Sequence, residues 1–322
     1  MDQKNAAAGI RLLSVIVPCF NEESSLPLFY DETVKILDGL RDREKGENIE
    51  GEFIFVDDGS FDGTAAVLRA LAGMDSRVHY ILFSRNFGKE AAMLAGLQEC
   101  RGQAAVILDA DLQHPPSLIP AMLEAVESGE FDCAGTLRLR TGEPPVRSLF
   151  SRFFYRLMEK LADVKMPDGA GDFRLMSRKY IEAVLSLHER NRFLKGIFPW
   201  VGFRIKWFEF KNIERIAGET KWPFWKLLIY SLDGVTAFSS RLLSLASAAG
   251  ICMFLVALGF IVFIIVYRIG WGSTVDGWAS TACIVLLCSG VQLFSAGILG
   301  LYLAKIYTEV KQRPHYLVHE RR

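Results

Sequence analysis

LLSLASAAGICMFLVALGFIVFIIVY, residues 242–267, is a run of 26 residues without a charge. A second uncharged run covers residues 278–304, and ten residues join the two. A bilayer core about 30 Å thick needs about 20 helical residues, so each run can cross it with some tilt. The alternative is a pair of buried helices in a large soluble protein. Length and apolarity favour a C-terminal transmembrane hairpin of two helices.

The charges that flank these runs predict how the hairpin is oriented. Lysine and arginine residues lie mainly outside it, at Lys221, Lys226, Arg241, Lys305, Lys311, Arg313, Arg321 and Arg322. The short connection carries only one arginine and one aspartate. Because positive residues accumulate on the cytoplasmic side, both ends of the chain and everything before residue 240 are expected in the cytoplasm.

The composition argues against a nucleic-acid-binding protein. The 322 residues include 37 Lys+Arg and 37 Asp+Glu, so the formal net charge is zero. A nucleic-acid-binding protein needs a basic excess to displace counterions, and the chain has none. The six cysteines show no metal-ligand spacing and are expected to be reduced thiols that pack as small apolar groups.

The first 220 residues alternate between short apolar runs and segments of helical periodicity. Four strands are predicted, at residues 12–17, 52–56, 78–83 and 104–108, with helices at 26–40, 64–72 and 90–99. Continuous apolar strands separated by helices are typical of a mostly parallel α/β sheet that is covered on both faces. In such sheets ligands bind beyond the carboxyl ends of the strands.

Acidic residues occupy two of these strand ends. Asp57 and Asp58 follow the second strand, and Asp109 and Asp111 follow the fourth. The glycine-rich motifs of dinucleotide-binding and P-loop proteins are absent from the sequence. Two carboxylates one residue apart supply hard oxygen ligands for Mg²⁺ or Mn²⁺, which often hold substrate phosphates as well. Each acidic pair alone is a weak signal, since an Asp-Gly step is commonly only a turn. Together, at the ends of strands of one sheet, they favour a metal site.

Seven segments in order carry a family resemblance: VIVPCFNEE (15–23), FVDDGSFDGT (55–64), SRNFGKEAAMLAGL (84–97), LDADLQHPP (108–116), AGDFRLMSR (170–178), ERNRFLKGIFPWVGF (189–203) and AGETKW (217–222). With them the chain resembles the polyprenyl-phosphate glycosyltransferases of glycosyltransferase family 2, which include bactoprenol glucosyltransferases and, more distantly, dolichol-phosphate mannose synthases. The resemblance covers nearly the whole chain. It implies a GT-A fold, a divalent metal, a nucleotide-sugar donor and a polyprenyl-phosphate acceptor.

The resemblance also implies roles for single residues on the donor side. Pro18, Glu22 and Asp58 match positions that hold the base and ribose of the donor. Lys89 is a further candidate for substrate binding, either near the diphosphate or only as a cap on a solvated helix.

The metal and diphosphate positions follow from the same resemblance. Asp109, Asp111 and Gln113 match them. His114 stands where many relatives have Asp or Asn, and we expect it to be a lining residue beside the metal motif.

Three residues are expected near the reacting groups. Arg138 and Arg215 match basic residues close to the phosphates, and Asp172 matches an acidic position beside the reacting centre. A phosphate monoester is already anionic, since its second pKa is about 6, so a strong general base is less necessary. Asp172 is therefore expected to position the acceptor or to take a proton from the monoanion. Arg174 is expected to pair with a carboxylate.

Two amphipathic segments indicate contact with the membrane surface. In residues 146–161 apolar side chains recur at helical spacing, and four cations lie on the opposite face. A basic amphipathic helix suits an anionic interface, although a helix that faces the protein core is the alternative. A second such helix is expected over residues 221–241, with tryptophans suited to the headgroup zone.

The sequence therefore divides into five parts. They are a GT-A catalytic domain (1–220), a juxtamembrane helix (221–241), two transmembrane helices (242–267 and 278–304) and a cytoplasmic tail (305–322). Gln292, inside the second run, is expected to make an interhelical hydrogen bond rather than to bind lipid or another protomer. Small residues around it allow close packing, and a homo-oligomer is expected.

The leading hypothesis is a membrane-anchored inverting glycosyltransferase at the bacterial inner membrane, with its catalytic domain in the cytoplasm. UDP-glucose and undecaprenyl phosphate are the expected substrates on the resemblance alone. One alternative keeps the fold but uses GDP-mannose or another UDP-sugar. A second is a non-catalytic component of sugar-lipid translocation, which would not need the carboxylate pair. A third, a processive polysaccharide synthase, is disfavoured because it generally needs more spans and a Q-x-x-R-W motif.

Overall fold

The structure is a computed structural model that describes residues 10–41, 46–139, 167, 169–190, 192–211, 241–271 and 277–322. Within these residues the chain forms one eight-stranded sheet. Its strands are β1 (Leu12–Cys19), β2 (Glu50–Asp57), β3 (Val78–Phe83), β4 (Ala104–Ile107), β5 (Cys133–Leu139), β6 (Ala170–Ser177), β7 (Ile205–Lys211) and β8 (Val318–Arg321).

The sheet is mostly parallel. Its order is β7-β5-β6-β4-β1-β2-β3-β8. Strands β1 to β4 run parallel to one another, and β5 pairs in parallel with β7. Strand β6 is antiparallel to both β4 and β5, and β8 is antiparallel to β3. The carboxyl ends of β1, β2 and β4 therefore meet at one edge of the sheet, where the sequence places its acidic pairs.

Helices cover both faces of this sheet. On one face lie α1 (Leu26–Asp38), α2 (Thr64–Met74) and α4 (Ile119–Glu127), and on the other α3 (Lys89–Glu99), α5 (Arg178–Ser186) and α6 (Leu194–Trp200). Strand residues alternate between the two cores, so that Val15 and Val17 face one and Ile16 the other. Burial on both faces explains why these strands read as continuous apolar runs. The predicted α/β class is confirmed, and the predicted strands end within two residues of the observed bounds.

Two long apolar helices lie between β7 and β8 in the sequence. They are α7 (Arg241–Trp271) and α8 (Trp278–Lys311), and both are long and apolar enough to cross a membrane. Only 6% of the apolar window in each is buried. Phe254 and Leu293, for example, are 65% and 75% exposed. The apolar side chains of these windows are therefore mostly not buried within the described part of the chain.

Helix α8 extends beyond residue 304, and a further strand of the sheet follows it. Helix α8 continues to Lys311, and Gln312 ends it in the left-handed conformation. The chain then forms β8 along the edge of β3. An unpaired edge strand exposes its backbone groups, and β8 covers the edge that β3 would otherwise present.

Gln292 does not make the expected interhelical hydrogen bond within the described residues. Its side chain is exposed and lines, with Ser247 and Ser295, a groove of about 570 Å³ between α7 and α8. The predicted amphipathic helix at 146–161, the juxtamembrane segment 221–240 and Arg215 lie outside the described residues.

Candidate active site

A cleft of about 320 Å³ opens at the carboxyl ends of β1, β2 and β4. Its lining includes six of the residues that the sequence singled out. They are Pro18, Glu22, Asp58, Lys89, Asp109 and Asp111. Phe20 and Asn86 also line the cleft, and sequence reasoning missed both as site residues although each lies inside a quoted motif.

The loops that follow β1 and β2 hold each other in place. Asn21 has a left-handed backbone, with φ of 57°. Its amide donates to the Ser60 hydroxyl at 2.8 Å, and its side-chain oxygen accepts the Phe61 amide at 2.9 Å. The two strand ends are thereby fixed side by side, which determines the shape of the cleft wall.

Gly59 is required by the sharp turn after Asp58. Its φ is +70°, and a Cβ built there would lie 2.5 Å from the backbone carbon of Arg85. A side chain would meet both the penalty of the left-handed region and a backbone clash. The glycine therefore lets the end of β2 approach the loop after β3.

Asp58 is held by that loop. Its carboxylate is 3% exposed and accepts the amides of Phe87 at 2.6 Å and Gly88 at 2.9 Å. Burial raises the pKa of Asp58, and the two amides act in the opposite direction. Its neighbour Asp57 accepts hydrogen bonds from Ser60 instead, so it stabilises the turn and does not line the cleft.

Lys89, at the start of α3, joins two carboxylates. Its Nζ lies 2.6 Å from Asp109 Oδ1 and 2.9 Å from Asp172 Oδ2. Burial opposes the charge of the ammonium group, but the two carboxylates outweigh burial and raise the pKa of Lys89 well above its usual range. Of the two sequence readings, a helix cap or a site residue, the structure places Lys89 inside the site.

Asp172 is connected to the cleft through its contact with Lys89. Burial alone would raise its pKa, but Lys89 and then Lys195 hold the pKa of Asp172 well below its usual range. Asp172 is therefore ionised at neutral pH and is a weak proton acceptor. The pKa of Glu90, the residue after Lys89, shifts in the opposite direction. Burial and the charge of Asp172 raise the pKa of Glu90 to about 8. Sequence reasoning missed Glu90, whose setting depends on residues distant in the chain.

Asp109 and Asp111 lie at the mouth of the cleft directly after β4. Leu112, which follows them, has a left-handed backbone with φ of 56°, and the Gln113 amide donates to Asp111 Oδ1 at 3.1 Å. Backbone in this region costs about 1–3 kcal/mol and is often found at functional sites. The turn thus brings the Gln113 amide onto the Asp111 carboxylate.

His114 packs beside this pair as a lining residue. Its Nδ1 lies 3.7 Å from Asp109 Oδ2 and is buried without a hydrogen-bond partner among the described residues. Its ring contacts Phe173 and Phe210 at centroid distances of 5.3 and 5.7 Å. Burial lowers the pKa of His114, so the imidazole is neutral at neutral pH.

The carboxylates fit a divalent cation by the chemistry of their donor set. Two oxygen ligands from Asp109 and Asp111 suit Mg²⁺ or Mn²⁺, which commonly complete their coordination with water and substrate phosphate. The described residues contain no group of three or more His, Cys, Asp or Glu side chains placed to hold a metal.

The family comparison agrees with this geometry. The model of the glycosyl transferase family 2 domain matches residues 14–185, which include the carboxyl ends of β1, β2 and β4. This chain belongs to glycosyltransferase family 2. It is a glycosyltransferase, and its mostly parallel sheet is GT-A-like, as the resemblance implied.

Relatives of this glycosyltransferase match along almost its whole length. It is 41% identical to the putative glycosyltransferase CsbB of Bacillus subtilis (strain 168), over 96% of this chain and 92% of that protein. It is 37% identical to the prophage bactoprenol glucosyl transferase homolog of Escherichia coli (strain K12), over 95% of this chain and 98% of that protein. Among solved structures, glucosyl-3-phosphoglycerate synthase from Mycobacterium tuberculosis, in complex with Mn²⁺ and UDP-glucose, matches with a TM-score of 0.46 and 18% identity, over 70% of this chain and 77% of that one.

Two arginines that the sequence singled out, Arg138 and Arg174, do not line the cleft of this glycosyltransferase. Arg138 lies on β5, where its amide donates to the Gly169 carbonyl at 3.0 Å, and it is not among the cleft-lining residues. Arg174 does not make the expected ion pair within the described residues. Its guanidinium lies 3.9 Å from the Phe198 ring centroid and donates to the Gly171 carbonyl at 2.9 Å. The aromatic face takes the place of a carboxylate for this buried cation.

Proposed function

We propose that this glycosyltransferase moves glucose from UDP-glucose to undecaprenyl phosphate, with inversion at the anomeric carbon, at the cytoplasmic face of a bacterial inner membrane. The observation that carries the proposal is the cleft in which Asp58, Lys89, Asp109 and Asp111 converge. The identity to proteins named bactoprenol glucosyl transferases, including 37% to that of Shigella phage SfX over 96% of this chain, supports the lipid acceptor and the sugar.

The donor would lie along the ends of β1 and β2. Pro18, Glu22 and Asp58 line the cleft there and would hold the base and ribose. The carboxylate of Asp58 suits ribose hydroxyls because it is already oriented by the Phe87 and Gly88 amides. Gln113, Arg138 and Arg215 are proposed to act near the diphosphate.

A divalent cation held by Asp109 and Asp111 would neutralise the charge that builds on the diphosphate as it leaves. Lys89 contributes a fixed positive charge at the same place, since its ammonium group contacts Asp109 at 2.6 Å. This residue is therefore proposed to bind the donor diphosphate and to keep Asp109 oriented.

The acceptor supplies its own nucleophile. A phosphate oxygen forms a bond to the anomeric carbon while the bond from that carbon to the nucleoside diphosphate breaks, and nucleoside diphosphate departs. A dianionic phosphate has no proton to lose in this step, since its second pKa is about 6. Asp172, ionised through its contact with Lys89, is accordingly proposed to position groups rather than to act as a general base.

Membrane anchoring is proposed from the two exposed apolar helices. Helices α7 and α8 carry apolar windows of mean hydropathy 2.4 and 1.6. A polyprenyl phosphate stays in the bilayer, so an enzyme that uses it has to work at the membrane surface. Self-association of the chain remains a prediction.

The decisive experiment supplies purified enzyme with UDP-glucose and a short polyprenyl phosphate and identifies the lipid product by mass. A product heavier by one hexose is expected, and it should be lost with chelator and in Asp111→Asn. Asp132→Asn is the matched control, since Asp132 contacts only Lys179, at 3.6 Å, among the ion pairs described, and does not line the cleft.

Parallel reactions with GDP-mannose and other UDP-sugars test the alternative donors. A product from GDP-mannose alone would keep the fold and refute the donor. If Asp111→Asn supported transfer at the wild-type rate, the assignment of the carboxylate pair would be wrong. If no nucleotide sugar gave a product with the polyprenyl phosphate, the proposed acceptor would be refuted.

A further inference from the structure

The segment that follows α8 packs an aromatic side chain against the catalytic sheet. The Tyr316 ring stacks on Phe83, the last residue of β3, with centroids 4.7 Å apart and planes 15° from parallel. Its hydroxyl donates to the Gln98 side chain of α3 at 2.6 Å. Tyr316 therefore bridges the end of β3 and the helix that begins with Lys89.

Phe83 also contacts the loop that borders the cleft. It meets Phe87 edge to face, with centroids 5.8 Å apart. The Phe87 amide is the one that donates to Asp58 at 2.6 Å. A short chain of contacts thus runs from Tyr316 through two phenylalanine rings to a carboxylate that lines the cleft.

Backbone pairing keeps Tyr316 in register with this loop. The Ser84 amide donates to the Leu317 carbonyl at 3.0 Å, and Val318 of β8 pairs with Phe83. The loop from Ser84 to Gly88 is therefore supported on one side by the end of the chain, and on the other it holds Asp58.

We propose that Tyr316 is a positioning residue for the donor half of the cleft, which it supports by holding the loop 84–88 against Asp58. Its link to the donor rests on the proposed function, while its support of the loop does not. In this arrangement the segment after α8 is a structural part of the catalytic site.

The first test measures hydrogen exchange of residues 85–89 in the full-length protein. Tyr316→Ala should raise exchange of these amides about tenfold, the size expected when an aromatic pair is lost. Tyr316→Phe keeps the ring and should exchange like the wild type. Tyr30→Ala is the control for general destabilisation, because Tyr30 packs on Phe53, away from this loop.

The second test measures steady-state kinetics and UDP-glucose binding for the same variants. Tyr316→Ala should raise the donor KM about tenfold and change kcat less than about twofold, since the reacting groups are untouched. Tyr316→Phe should restore the donor KM.

Two results would overturn the inference. One is unchanged exchange at residues 85–89 in folded Tyr316→Ala, and the other is a Tyr316→Phe variant as impaired as Tyr316→Ala. A wild-type protein that binds no nucleotide sugar would instead refute the proposed function, and the exchange comparison would still decide the role of Tyr316.

Discussion

Replacing Lys89 by methionine removes the ammonium group that contacts Asp109 and Asp172 while it keeps most of the side-chain volume. The two carboxylate oxygens that share this ammonium lie at most about 5.5 Å apart, because each is within hydrogen-bond distance of Nζ. Without the ammonium group, two negative charges face each other across the cleft. The substitution therefore tests whether Lys89 holds the site together.

The repulsion can be estimated from that separation. Two unit charges about 5.5 Å apart interact with about 3 kcal/mol at an effective dielectric constant of about 20. The Lys89 side chain is 41% exposed, and solvent screening at such a site reduces the net cost to about 1–2 kcal/mol. For a domain of this size, that cost lowers Tm by about 3–6 °C.

The difference in stability between the wild type and Lys89→Met should depend on pH. In the wild type the depressed pKa of Asp172 contributes stability that is present above its unfolded value of about 3.9 and is lost as the pH falls through the lower folded value. Lys89→Met lacks this contribution. The difference in Tm between the two proteins should therefore be largest near pH 7–8 and should shrink below about pH 4.

The assay is thermal unfolding in detergent with chelator, repeated after adding Mn²⁺. A divalent cation should raise the Tm of Lys89→Met more than that of the wild type, because it supplies the missing positive charge and meets no competing ammonium group. Lys179→Met is the control, since Lys179 is 72% exposed and lies outside the cleft. Equal Tm values at pH 7.5, together with equal shifts on adding Mn²⁺, would refute the bridging role of Lys89.

Three further substitutions test the stability contributions of single residues. Gly59→Ala should lower stability by about 2–4 kcal/mol in thermal unfolding, because of its φ of +70° and the 2.5 Å approach to Arg85. Glu90→Gln should raise Tm more at pH 8.5 than at pH 5, since a pKa of about 8 makes the wild type lose stability between its unfolded pKa of about 4.3 and that value. Glu52→Ala should cost about 1–3 kcal/mol in denaturant unfolding but leave kcat unchanged, because Glu52 accepts the Ser14 hydroxyl at 2.6 Å at the opposite end of β2.

The central strands could be predicted from the sequence because they are buried on both faces. Strand β3 has the predicted bounds, and β1 differs only in continuing through Pro18 and Cys19. The acidic pairs also stand where the sequence places them, since a residue that directly follows a parallel strand has little freedom in where it lies. Local pattern is sufficient for these elements.

The contacts of Lys89 could not be predicted in the same way. Asp172 is 83 residues away in sequence, on a strand antiparallel to β4, and no local spacing links it to α3. The expected ion pair of Arg174 does not form among the described residues for a related reason, because the Phe198 ring that its guanidinium contacts belongs to a separate helix. Such pairings depend on strand order, which a single sequence specifies only weakly.

Strand β8 shows what pattern analysis omits. VHER, residues 318–321, has no apolar run and is mostly exposed, so nothing local predicts a strand. It forms because β3 offers unpaired backbone groups and because Glu320 accepts hydrogen bonds from Arg69 and Tyr80. The two apolar helices therefore lie, in sequence, between strands at opposite edges of one sheet, β7 and β8. Backbone hydrogen bonds consequently connect the segment after α8 to β3 and to Ser84, at the start of the loop that holds Asp58.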